Sequence, residues 1–165
     1  MKRLSVLLLA VVLFLCSCSF SKDHQSDAVI FYYLQQEYQY GQSGSVLAPE
    51  QRELTEHPRN LTYWMALYLM GPVEEAHAMP LPEKTRIAGT LMENGSIQLE
   101  LSEAARGMSD SEFSLACTCL SLTCFSITEA SEVSIINGER KIVLNQNNLT
   151  LSDNLTICLP TEDVK

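Results

Sequence analysis

Basic residues are scarce in this sequence. Lys and Arg number 11 against 20 Asp and Glu, a net charge of −9 over 165 residues. That balance excludes an ordinary nucleic-acid binder, which needs a basic face to displace counterions from phosphates. Histidine is scarcer still. His24, His57 and His77 are the only three, and no local signature surrounds any cysteine, so a thiol hydrolase lacks a base beside its nucleophile. No apolar run reaches the roughly 20 residues that cross a bilayer as a helix. Internal repeats and low-complexity tracts are absent, and the length is too short for a barrel of about 250 residues. What is present is a 46% hydrophobic fraction, too high for wholesale disorder. The length suits one domain of roughly 100–150 residues with short additions.

The apolar residues are concentrated at the start. Met1-Lys2-Arg3 is followed by Leu4 to Leu15, apolar apart from Ser5. A basic start and a short apolar core read as an export signal. The segment ends in Leu15-Cys16-Ser17-Cys18, which resembles the bacterial lipobox. That resemblance implies diacylglycerol on the sulfur of Cys18, cleavage before it, and an acylated amine. Plain signal cleavage and an uncleaved anchor are the alternatives. Loss of residues 1–17 removes Lys2 and Arg3 and leaves 9 basic residues against 20 acidic, a net −11. The division expected is a signal peptide at 1–17, a tether at 18–28, a domain at 29–144 and a C-terminal extension at 145–165.

Within the domain, Val29 to Leu34 (VIFYYL) reads as a strand apolar on both faces and interior to a sheet. Val46 to Leu54 is a second extended segment, weakened by Pro49. Leu61, Trp64, Met65 and Tyr68 fall at i, i+3, i+4 and i+7, so a helix runs over Leu61 to Met70. Asn60 is its N-cap, and Gly71-Pro72 its stop. Thr85 to Met92 and Ser96 to Leu101 flank Asn94-Gly95, the chemistry of a type I′ hairpin turn. Ser109 and Glu112 form a capping box before a helix carrying Phe113, Ala116, Cys117, Leu120, Cys124 and Ile127 on one face. Leu115, Cys119 and Leu122 widen that face, so the helix packs broadly. Val133 to Ile136 and Lys141 to Leu144 form a second hairpin about Asn137-Gly138. The order is β-α-β-β-α-β. The fold class expected is α+β, a small mixed sheet with two helices packed on one face.

These pieces together resemble the GerMN domain of bacterial sporulation and spore-germination lipoproteins. The resemblance runs from about Val29 to Leu144. It rests on Val29 to Leu34, Leu47-Ala48-Pro49-Glu50-Gln51-Arg52, Leu67, Leu69, Gly71-Pro72, and Leu81-Pro82 with Thr85. It continues through Asn94-Gly95, Leu99-Glu100-Leu101-Ser102, Ser121-Leu122-Thr123, and Val133, Ile135 and Gly138. Glu100 stands where the family usually has Asp. The resemblance implies a ring-building-motif-like fold and an assembly role without catalysis. The chain departs from the family's best-described member in holding one copy rather than two, and in a cysteine-rich second helix.

The candidate chemistry is sparse. Cys117, Cys119 and Cys124 stand as C-x-C-x₄-C on a helix. Residues two apart point about 200° apart, so Cys117 and Cys119 do not ligate one ion. Cys117 and Cys124 share a face but lie too far apart for a disulfide. Core packing explains all three, with pairing to Cys158 as the alternative in an exported protein. Glu74, Glu75, Glu100 and Glu103 read as a solvated rim. Trp64, Tyr32 and Tyr33 read as core, whereas Tyr38 and Tyr40, in a polar loop, are the candidate interaction residues. No metal site and no cofactor is expected. The functional expectation is a non-enzymatic lipoprotein, anchored through Cys18 on the extracytoplasmic face of the cell membrane. It would contact envelope proteins in sporulation or germination. Binding of a cell-wall component or small solute is the alternative, and a hydrolase the remote one.

Overall fold

The computed structural model describes residues 28–37, 45–53, 59–147, 149–151 and 157–158. Cys18, Tyr38, Tyr40, His24 and His57 lie outside the described residues, as does the side chain of Cys158.

Strand β1 (Ala28–Gln35) pairs antiparallel with β2 (Leu47–Glu53), from Ala28 opposite Glu53 to Leu34 opposite Leu47. Strand period two sends Val29, Phe31 and Tyr33 inward, where all are fully buried. Ile30, Tyr32 and Leu34 take the other face and are only partly covered, so β1 is two-faced rather than apolar-buried on both sides. Pro49 is accepted because β2 is an edge strand. Helix α1 (Leu61–Tyr68) starts where Asn60 Oδ1 accepts the Tyr63 N–H at 3.1 Å. It ends before Gly71, whose φ of +99° is the left-handed stop. Strand β3 (His77–Ala78) then pairs with the end of β1 and completes a three-stranded sheet.

A second sheet follows. Strands β4 (Ile87–Glu93) and β5 (Ser96–Leu101) form the hairpin, with Asn94 at φ 51° and Gly95 at φ 77°. After a 3₁₀ turn at Glu103–Gly107, helix α2 (Asp110–Ile127) opens on the Ser109–Glu112 capping box. Strand β6 (Glu132–Asn137) returns parallel to β5, and β7 (Arg140–Asn145) pairs antiparallel with β6. The sheet order is β4-β5-β6-β7. Two short strands, β8 (Thr150–Leu151) and β9 (Ile157–Cys158), pair with each other.

The class is α+β, but the described residues build two main sheets and a two-stranded ribbon rather than one sheet. The expected order lacks β2, β7 and the two-residue β3, and the short β8 and β9 fall in the C-terminal extension. Helix α2 touches β1 of one sheet and β6 and β7 of the other. From Ala116 to Cys124 it is buried all round. Phe113, Ala116, Cys117, Leu120, Cys124 and Ile127 join the main core, while Cys119 and Leu122 pack with Leu47 on the other flank.

Helix α2 also completes β1. Among the described residues, the edge of β1 beyond β3 has no strand partner, and buried backbone polar groups left unpaired are costly. Thr123 Oγ1 accepts the Tyr32 N–H at 3.0 Å, and Ser126 Oγ accepts that of Ile30. From α1, Tyr68 Oη donates to Tyr32 O at 3.0 Å. Two helices thus stand in for a missing strand.

Candidate functional site

Three groupings bring chemistry-bearing side chains together. The first is centred on Glu50. Pairing with β1 places Ala48, Glu50 and Arg52 on the inward face of β2, and Glu50 is only 2% exposed. Its Oε2 accepts from Arg52 and from the Val73 N–H at 3.2 Å. Its Oε1 accepts from the Glu74 N–H at 3.1 Å and from His77 Nδ1 at 2.8 Å. Burial pushes this carboxyl up, but the His77 bond, the Glu74 and Val73 N–H groups and the Arg52 charge outweigh burial. The result lies below the ordinary 4.5. The Arg52 guanidinium also lies 5.6 Å from the Phe31 ring centroid. With four donors on two oxygens, Glu50 ties the loop after α1 down to the sheet.

The second grouping is the three thiols of α2. Cys117, Cys119 and Cys124 are reduced and buried. Burial pushes Cys117 and Cys124 up to about 12 and Cys119 further, despite a small opposing pull from Arg140 on Cys117. A thiol held protonated is neither a nucleophile nor a metal ligand. Cys119 faces the Tyr33 carbonyl at 3.7 Å and Cys124 faces Met65 Sδ at 3.9 Å, on different flanks of the helix.

The third is a cavity of about 540 Å³ between the outward face of β1 and the last turns of α2. Ala28, Ile30 and Tyr32 supply one wall, and Leu122, Phe125 and Ser126 the other. Arg59, just before α1, closes one side and donates Nη1 to Ser126 O at 2.8 Å. A second cavity, of about 530 Å³, lies at the far end of α2 between Leu34, Met79, Leu81, Met108 and Leu115.

Of the rim carboxylates, only Glu74 borders one of these groupings, that of Glu50 and His77. Glu75 and Glu100 are exposed, Glu103 pairs with Arg106 at 2.7 Å, and Glu74 Oε2 reaches His77 Nε2 only at 3.6 Å. Trp64 and Tyr33 are core, packed edge-on to Phe31. Sequence reading missed the Glu50–Arg52–His77 grouping and the role of Arg59. The available signal was an acid and a base two residues apart on one face of a strand otherwise led by Leu47 and Ala48. Among the described residues, no three His, Cys, Asp or Glu side chains are arranged to hold a metal, and no helix is long and apolar enough to cross a membrane.

No family model matches the chain, and no curated protein matches it. Among solved structures, one described as "Putative Lipoprotein from Clostridium perfringens" superposes with a TM-score of 0.46 at 14% identity. The match covers 73% of this chain and 88% of that one. A likeness at that level assigns neither the fold family nor a role to this chain.

Proposed function

We propose that this chain is a membrane-anchored envelope lipoprotein whose GerMN-like domain acts by protein–protein contact, without catalysis, in sporulation or spore germination. The observation that carries the anchor is Leu15-Cys16-Ser17-Cys18, placed ten residues before the first strand at Ala28. Lipid on Cys18 holds the domain at the extracytoplasmic membrane surface, since each buried CH₂ contributes ~0.8 kcal/mol. The non-enzymatic reading is supported by what the titratable groups are occupied with. Both oxygens of Glu50 are taken by structural donors, and the α2 thiols are held protonated. The GerMN reading rests on the sequence resemblance.

Mass spectrometry of the amino-terminal peptide, with and without globomycin, tests the anchor: an unmodified Cys18 in the mature chain sinks it. Crosslinking in intact membranes followed by pull-down tests the role. Discrete protein partners support assembly, whereas co-purifying cell-wall fragments favour the binding-module alternative.

A further inference from the structure

We infer that the cavity beside Ala28 is a second membrane contact, seating the domain on the interfacial layer of the bilayer that carries its anchor. This rests on the lipid-anchored reading above. The first argument is reach. Ala28 lines the cavity and is joined to Cys18 by ten residue steps. Ten residues span at most about 35 Å even when fully extended, so the anchor lies within that distance of Ala28. A short tether of that kind gives an effective concentration in the mM range. A contact too weak to be seen with free protein is therefore populated once the chain is anchored.

The second argument is chemistry. In a chain with 20 acidic residues, the described residues of the cavity lining include no carboxylate, and Arg59 is the single charged side chain among them. The nearest acid on that face of β2 is Glu53, at the rim opposite Ala28. Elsewhere the excess negative charge repels an anionic bilayer over a Debye length of about 10 Å. No described carboxylate of the cavity lining opposes the approach of a bilayer on this face. Ile30 is 36% exposed there, and Phe125 and Tyr32 are half-buried beside it. Apolar and amphipathic aromatic side chains of this kind partition into the headgroup–acyl boundary. Arg59 uses one N–H on Ser126 O. A guanidinium carries five N–H donors in a fork that fits a phosphate. The occupant is thus a phospholipid: phosphate at Arg59, first acyl carbons against Ile30 and Phe125.

The test uses the full-length lipoprotein, purified from membranes of a producing bacterium and placed in phosphatidylcholine–phosphatidylglycerol vesicles with or without acyl-chain-brominated lipid. Phe125→Trp reports from the cavity. Leu91→Trp reports from the outer face of the four-stranded sheet, where Leu91 is exposed. Ile30→Trp is the substitute if circular dichroism shows that Phe125→Trp is misfolded. Emission is taken as the difference from the parent chain, which carries only Trp64. The expected result is loss of the added emission of the Phe125→Trp chain in brominated vesicles and no loss for the Leu91→Trp chain. Adding Arg59→Glu to Phe125→Trp is expected to reduce the loss. Equal responses of the two reporter chains overturn the proposal. So does an unresponsive Phe125→Trp chain, whether another part of the chain or a second copy fills the cavity. The mass of the amino-terminal peptide is read on the same sample. Lipidated Cys18 with an unquenched cavity reporter removes the second contact alone, and unlipidated Cys18 removes both readings.

Discussion

Glu50 stands where its strand calls for an apolar side chain, and its protonation state is built into the fold. Because the folded carboxyl lies below its ordinary 4.5, the unfolded chain binds more protons in acid. Its contribution to stability is complete above the unfolded value and is lost as pH falls through the lower folded value. Urea denaturation at a series of pH values is expected to show stability rising with pH across that acid window. Glu50→Gln is expected to flatten this slope and to cost about 1–3 kcal/mol at neutral pH, since it leaves buried donors imperfectly paired. A mutant with the parental pH slope would place the dependence elsewhere. Little of this was legible in the sequence. Glu50 and His77 are 27 positions apart, and only the β1–β2 register turns Glu50 inward. The cysteines were legible, because helical geometry alone separates Cys117 from Cys119. Their raised thiols predict that Cys117, Cys119 and Cys124 resist iodoacetamide at pH 8 and are alkylated in denaturant, read by peptide mass spectrometry. Fast native labelling of any of the three would contradict their burial.

At the scale of elements, the hairpin β4–β5 and the start of α2 were readable because their signals are local. Asn94-Gly95 supplies both positive-φ positions, and Ser109 and Glu112 meet three residues apart. The parallel pairing of β5 with β6 was not readable. It is made across the whole of α2, and nothing in either strand names its partner. The capping of β1 by α2 was equally hidden, since hydroxyls on an apolar helix look like ordinary tolerated polar residues. Thr123 and Ser126 nevertheless replace strand hydrogen bonds at Tyr32 and Ile30. Thr123→Val keeps the side-chain volume and removes the acceptor, stranding the Tyr32 N–H. The expected cost is about 1–3 kcal/mol in urea denaturation, with faster exchange of the Tyr32 amide. Thr123→Ser should recover most of it. Equal stability of Thr123→Val and Thr123→Ser would mean that the hydroxyl does not hold the edge.

At the scale of the whole molecule, two sheets meet through one helix. The three-stranded sheet has few means of standing alone: β3 is two residues long, and the free edge of β1 is finished by side chains of α2 and α1. The four-stranded sheet likewise buries Ile97, Leu99, Val133 and Ile135 in the same core as Phe31, Trp64 and Leu120. Neither half can lose α2 without exposing its own apolar face, so the described domain should unfold as one cooperative unit. Leu120, fully buried in α2, is the position to perturb. Leu120→Ala removes three carbons from the middle of the shared core and should cost about 2–5 kcal/mol. Trp64 emission reports from the α1 side, and exchange of the Ile97 and Leu99 amides reports from the four-stranded sheet. Both are expected to shift together, to the same new midpoint. If Trp64 moved while the β5 amides kept their protection, the sheets would be independent units, and α2 would belong to the three-stranded sheet alone.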